Sequence, residues 1–333
     1  MQIVYDETQL TPIIDAQRLP GSLWCLCPYF NLTNSVNRTE NFRVFYHRMM
    51  EHGVNILFAE QALHDKAFEL QDIVHEHQLP VRLCADKILW QQQTLINLLL
   101  EHLPDDCDKV CWIDSDVMFG NEDWHVNVSR MLEQYKMVQC FSHMAYLPRG
   151  VEFVDELEIN SFPQRMDDCS RWYGYINGIS NADINMSNGH AGLVWAARRS
   201  VLEEVGGLYD ECIFGGGDQL IARAAAYAQY DAELCVEHTR FQLSSYFNWA
   251  ERMRNAVWPY VSHVPGIAYH LYHGSLRNRG YEASRLVLKE LGYNPYMHIT
   301  KRSNGLWTVT DNGESMWVDK EAVKFFKNRK EDF

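Results

Sequence analysis

The 333-residue chain is 47% hydrophobic and 22% charged, which excludes disorder as its main state and gives length for one large core or two modest ones. A formal charge of -14 repels polyanions unless basic residues are gathered locally, so free nucleic acid is not a default partner. No apolar run reaches the roughly 18 residues of a membrane span, and the opening MQIVYDETQL lacks the charged-then-apolar layout of a signal peptide; a cytoplasmic chain with no membrane span is expected.

In chain order, Ser22 to Cys27 (SLWCLC) reads as a buried strand. Glu40 to His52 reads as a helix with Phe42, Phe45, Tyr46 and Met49 on its apolar face, and Val54 to Ala59 (VNILFA) as a second strand. Leu89 to Leu103 is a second amphipathic helix, closed by Pro104 and the acidic loop DDCD, ahead of the apolar run Val110 to Ile113. This alternation predicts an α/β fold, a mainly parallel central sheet flanked by helices, with the chemistry on loops at the strands' carboxyl ends. Pro148 to His190 is polar and turn-rich and reads as acceptor-side loops. A helix from Ser200 to Val205, the run GGLYDECIFGGGD and a helix from Gln219 to about Tyr230 follow; Ile267 to Tyr272 is strand-like, and the chain then turns basic at Arg277, Arg279 and Arg285. The nine cysteines lack framework spacing and are expected as reduced, mostly buried thiols. Ten tryptophans and 13% aromatic residues point to a ring-rich core with some faces left to stack on sugar or base.

The tripeptide Asp-x-Asp arises by chance about once in a chain of this length. Here it occurs twice: Asp106-Cys107-Asp108 in a loop, and Asp114-Ser115-Asp116 directly after Val-Cys-Trp-Ile. Alternation puts residues two apart on one face of a strand, so the second pair can converge on one cation, Mn2+ or Mg2+. The bland reading of that pair is a turn with a helix cap. The longer string LWQQQTLINLLLEHLPDDCDKVCWIDSDVMF resembles the segment leading into the metal-binding acids of GT-A glycosyltransferases. The resemblance implies a Rossmann-like GT-A domain over residues 1-290, its nucleotide-binding half at about 20-120 and its acceptor and donor-sugar half at about 121-290, with a C-terminal extension at 291-333. It also implies that Asp114 reaches the ribose or metal-bound waters and that Asp116 ligates the metal between the donor phosphates.

The stretch GHAGLVWAARRSVLEEVGGLYDECIFGGGDQL, Gly189 to Leu220, is similar to the donor-sugar strand, Arg-Arg helix and catalytic acid of family-two glycosyltransferases. By that likeness Gly192 lets the backbone approach the donor sugar, Trp195 belongs to the same donor-sugar strand, and Asp218 is the general base. Many relatives carry Glu-Asp where this chain has Gly217-Asp218. In IAYHLYHGSLRNR the resemblance makes either His270 or His273 a further metal ligand, and Arg277 and Arg279 candidates to neutralise the leaving diphosphate. Asn37 and Arg38 are candidates for base or phosphate contact, and Glu60 for uridine or ribose. The implied enzyme is a metal-dependent transferase that moves a hexosyl or pentosyl group from a nucleotide sugar, UDP-sugars foremost, to an acceptor hydroxyl, with inversion by analogy. The acceptor is left open among glycan, lipid-linked sugar, protein and hydroxylated DNA base. Two readings from other classes compete. One is a haloacid-dehalogenase-like phosphatase, which Met118 and the lack of a second Asp soon after Asp218 fit poorly; the other is a non-catalytic carbohydrate-binding protein.

Overall fold

A computed structural model describes residues 18-150, 168-169, 189-226 and 232-332. The first third alternates as the sequence predicts: β1 (Ser22–Phe30), α1 (Val36–Glu51), β2 (Ile56–Leu63), β3 (Val81–Ala85), α2 (Gln92–Leu100) and β4 (Cys107–Ile113). Then come β5 (Val117–Phe119), α3 (Trp124–Leu132), β6 (Met137–Gln139), β7 (His143–Tyr146), β8 (Asp168–Cys169) and β9 (Val194–Arg198). α4 (Arg199–Val205), α5 (Gly217–Ala225), α6 (Ala232–Glu237) and α7 (Arg240–Val257) lead to β10 (Val261–His263) and β11 (Ile267–His270). The last elements are α8 (Tyr281–Glu290), α9 (Pro295–His298), β12 (Ile299–Lys301), β13 (Trp307–Val309) and α10 (Met316–Asn328).

The central sheet runs β10-β6-β9-β4-β1-β2-β3. Its pairs are parallel except where β9 lies antiparallel between β4 and β6. Alternation along β1 separates two cores. Cys25, Cys27 and Tyr29 face α1 and α3, which contribute Phe42, Phe45, Trp124 and Val128. Leu26 and Phe30 face the side covered by α2, α4, α5 and α7. Both faces are thus covered, the arrangement that buried parallel strands require. α1 starts earlier than its apolar pattern because the Ser35 side chain caps it, accepting from Arg38 N at 3.2 Å. A smaller sheet, β5-β11-β7-β8, stands at the exit of β4, with β11 antiparallel to β5 and parallel to β7.

The segment 291-332, read from the sequence as an extension, is built into the main body. Val318, Ala322, Phe325 and Phe326 of α10 join the same core as α2, α5 and α7, and the Phe326 ring stacks on Trp90 at 6.1 Å. Cys25, Cys27, Cys84, Cys107, Cys111, Cys140, Cys212 and Cys235 are free thiols, and Cys25, Cys27, Cys107, Cys111 and Cys140 are buried. Among the same residues no helix is long and apolar enough to cross a membrane.

Candidate active site

Asp114 leaves the central sheet where β4 ends, its N–H bonded to Leu193 O at 3.0 Å. Leu193 is buried and non-glycine yet sits at φ +72°, so the backbone is held against its preference at the wall of the site. Two residues on, Asp116 O accepts from Leu271 N at 2.9 Å. That bond extends the β5–β11 ladder and brings the end of β11 against the acids. His270 Nε2 then lies 3.7 Å from Asp116 Oδ1, and His273 Nε2 lies 3.1 Å from Asp116 Oδ2. All three side chains are buried, and their ligand atoms fall within 4.8 Å of one another.

The tautomers are set by the neighbours. His270 Nδ1 faces Leu271 O at 2.7 Å; a carbonyl only accepts, so Nδ1 carries the proton and Nε2 the lone pair. The Arg279 guanidinium reaches His270 Nε2 at 3.5 Å and His273 Nε2 at 3.1 Å. Arginine only donates, which fits a lone pair on Nε2 of His270, whereas Nε2 of His273 lies between Arg279, a donor, and Asp116 Oδ2, an acceptor, at 3.1 Å from each. Both Nε2 atoms and a carboxylate converge on one place, and Asp116 Oδ1 is buried without a hydrogen-bond partner. One carboxylate with two neutral imidazoles suits Mn2+ or another first-row divalent ion. Burial opposes the charge on Asp116, but His270 and His273 where they carry a proton toward it, with Arg38 behind them, hold its carboxyl well below the usual range. Asp114 goes the other way: burial, then the charges of Asp116 and Asp218, push it well up against the pull of Arg38 and Arg279. Gln92 Nε2 donates to Asp114 Oδ1. Burial lowers His270, which keeps it neutral.

Asp218 reaches the same cleft from the opposite half. Gly215 and Gly216, at φ +79° and +85°, turn the chain into α5, and Asp218 stands in its first turn with Oδ1 accepting from Gln219 N at 2.9 Å. A Cβ on Gly192 would lie 2.5 Å from Asp218 Oδ2, so only glycine lets this strand-end pass so close to the acid. The cleft, of about 210 Å³, is lined by Asp114, Asp116 and Asp218 together with four arginines, Arg38, Arg279, Arg285 and Arg329. Arg38 pairs through Nε with Glu331 at 2.8 Å, Arg329 pairs with the same carboxylate at 2.9 Å, and Arg285 pairs with Glu237 at 2.8 Å. Arg279 lies over the Tyr146 ring at 5.8 Å. Three of the four arginines are thus offset by carboxylates, which leaves Arg279 as the guanidinium of the cleft without a carboxylate partner among the described residues.

No family model and no curated protein matches the chain. Among solved structures it is similar to glucosyl-3-phosphoglycerate synthase from Mycobacterium tuberculosis, in complex with Mn2+, UDP-glucose and phosphoglyceric acid. That match has 12% identity and a TM-score of 0.42, covering 87% of each chain. It is also similar to S. aureus TarS 1-349 with UDP-GlcNAc, at 10% identity and TM-score 0.40 over 92% of this chain and 72% of that one. The catalytic domain of Drosophila β1,4-galactosyltransferase 7, with xylobiose, matches at 14% identity and TM-score 0.32 over 62% of this chain. The present chain spans 61% of that galactosyltransferase chain. Each likeness is partial, and the chemistry of the cleft follows from this chain's own side chains.

The structure gathers Asp114, Asp116, Asp218, His270, His273, Arg38 and Arg279 in one cleft, and both histidines stand at Asp116 where the sequence left a choice between them. Other candidates lie elsewhere. Glu60 is buried and does not line the cleft; its carboxylate accepts from Glu69 N and from Leu70 N at 3.2 Å and braces the turn there. Trp195 packs in the core with Nε1 donating to Ala191 O at 2.8 Å. Asn37 is engaged by the chain's end: its Nδ2 donates to Glu331 O at 2.8 Å and its N–H to Asp332 Oδ1 at 2.9 Å. Arg277 is exposed on a turn; the basic run splits, with Arg279 and Arg285 facing inward, and makes no continuous tract for a nucleic-acid backbone. Most of the expected acceptor loops, and the end of the helix expected to reach Tyr230, lie outside the described residues. Gln92, Arg329 and Glu331 line or brace the site without any motif to announce them.

Proposed function

We propose that this cleft binds a nucleotide sugar with a divalent cation and transfers the sugar to an acceptor hydroxyl. The observation that carries the reading is the convergence on one wall of Asp116, His270 and His273, whose ligand atoms lie within 4.8 Å of one another, with arginines around them and the Asp218 carboxylate in the same cleft. Asp116, His270 and His273 would hold Mn2+ or Mg2+, with Asp114 beside them. When bound, the metal would stabilise the negative charge that grows on the departing diphosphate. Arg279, which has no carboxylate partner among the described residues, is the side chain best placed to take a phosphate oxygen.

Asp218 takes the proton of the acceptor hydroxyl. That oxygen forms the bond to the anomeric carbon as the carbon–oxygen bond to the diphosphate breaks, and the nucleoside diphosphate leaves with the electron pair. Direct displacement of this kind inverts the anomeric centre. UDP-sugars are the first donors to test, and hexosyl and pentosyl groups are both within the reading. Glycans or other hydroxyl-bearing molecules are the acceptors it accommodates best.

The test is a donor panel assayed with Mn2+ against glycan acceptor arrays. Asp116→Ala is expected to abolish metal-dependent donor binding. Asp218→Asn should keep donor binding and lose turnover by a factor on the order of 10²–10⁴. Near-normal turnover in Asp218→Asn removes the base assignment. Failure of every nucleotide sugar to bind in the presence of Mn2+, or brisk hydrolysis of a simple aryl phosphate, overturns the transferase reading.

A further inference from the structure

The end of the chain is locked against the site by contacts that the transfer reaction does not require. Glu331 is buried, and its carboxylate takes Nε and Nη2 of Arg38 at 2.8 and 3.0 Å and Nε of Arg329 at 2.9 Å. Its backbone oxygen is held by Asn37, and the next residue, Asp332, accepts from Ser35 Oγ at 2.8 Å and Asn37 N at 2.9 Å at the start of α1, where the helix favours an anion. Gly274, at φ +90°, completes the seat: a Cβ there would lie 3.0 Å from Glu331 Cα. A carboxylate fixed by so many bonds is a built part of the site and not a loose end folded over it.

What it faces is His273. Glu331 Oε1 lies 3.6 Å from His273 Nδ1, on the far side of the ring from Asp116. A carboxylate only accepts, so the Nδ1 that faces Glu331 is the ring nitrogen that carries a proton toward it. The gap exceeds a hydrogen bond by about half an ångström, and His273 Nδ1 is buried with no closer partner among the described residues. His270 has an equivalent brace of local origin, Leu271 O at 2.7 Å; for His273 the acceptor facing Nδ1 among the described residues is Glu331. Histidines that bind metals are oriented and made more basic by an acceptor on the other ring nitrogen.

Resting on the metal reading above, we propose that Glu331 is a positioning residue for that centre. It holds the His273 ring, through Nδ1, with Nε2 turned toward Asp116. Glu331 is then part of the metal site, although it supplies no ligand.

The experiment is a Mn2+ titration of the full-length protein, by calorimetry or by the electron-paramagnetic signal of free Mn2+. The wild type is compared with Glu331→Gln, Glu331→Asp, Asp332→Asn, His273→Ala and the His273→Ala/Glu331→Gln double variant. Glu331→Gln is expected to weaken Mn2+ on the order of tenfold or more. Glu331→Asp, which keeps a charge for Arg38 but draws it back from the ring, should fall between it and the wild type and serves if the first variant does not fold. Asp332→Asn, which loosens the same tail without touching His273, should stay within about twofold, and Glu331→Gln should add almost nothing once His273 is gone. Unchanged affinity in both Glu331 variants overturns the proposal, as does a full loss that persists in the His273→Ala background. A wild-type chain that takes up no Mn2+ overturns the metal reading itself, a different result from a wild type that binds and a Glu331→Gln that binds equally well.

Discussion

Glu60 shows what one buried charge does in this fold. It sits on β2 between Tyr29 of β1 and Arg82 of β3, only 2% exposed. Burial pushes its carboxyl up to about 7 from 4.5, against the two N–H groups of Glu69 and Leu70 that lower it. The folded state therefore holds a proton that the unfolded chain releases. Between pH 4.5 and about 7 the folded chain binds more protons, so this residue's contribution to stability falls as pH rises through that window and is constant outside it. Glu60→Gln removes the titration. Urea denaturation should show the variant gaining on the wild type across the window, by on the order of 2 kcal/mol with allowance for nearby solvent, on top of a fixed offset from the lost second acceptor. Parallel pH profiles would rule the account out. Glu60 was a candidate for uridine or ribose through the family resemblance alone; nothing local reveals that two backbone amides from nine and ten residues further on bind its carboxylate. Asp114 and Asp116 were legible for the opposite reason, since the strand before them fixes where they emerge. His270 and His273 were legible as a pair but not separately, because their common target lies across the β5–β11 ladder.

Among the elements, the long buried strands and amphipathic helices were readable from hydrophobic pattern. β2 ran past its predicted end because its buried Glu60 and Gln61 broke the apolar run without breaking the ladder to β3. The reversed β9 was not legible: a fully buried strand has the same composition in either direction. α10 is a different case, since the partners of a helix late in the chain are not readable from its own pattern. Those partners include Trp90, on which Phe326 stacks, and Phe214, whose ring lies 5.7 Å from Phe325. Trp90 in turn carries Arg329 over its face at 5.1 Å, so this packing also positions the tail. Phe326→Ala should cost about 3–5 kcal/mol in chemical denaturation, as a core deletion does. A loss under about 1 kcal/mol would mean that α10 docks loosely and that 291-333 is an extension after all.

At the scale of the whole molecule, the cleft has no sequence window of its own. Its arginines come from α1, from the turn after β11, from α8 and from the residue after α10, and its acids from the exit of β4 and the start of α5. A chain of charge -14 has thus set four guanidinium groups beside three carboxylates, and the two sets make opposite demands on a diphosphate. Without a metal the acids repel it, and Arg38, Arg285 and Arg329 are held by Glu331 and Glu237, which leaves Arg279 to attract it. With a divalent ion on Asp116, His270 and His273, that wall changes sign. Nucleotide and metal should therefore stabilise the fold together by more than the sum of each alone. At a hundredfold excess over its dissociation constant a ligand adds about 2.7 kcal/mol, a rise of several degrees in melting temperature for a chain of this size. Thermal unfolding with Mn2+, with UDP, and with both should show most of the shift in the combined sample, and EDTA should collapse it. Equal stabilisation by UDP in EDTA would place the nucleotide on the arginines alone and leave the acids without the role assigned to them.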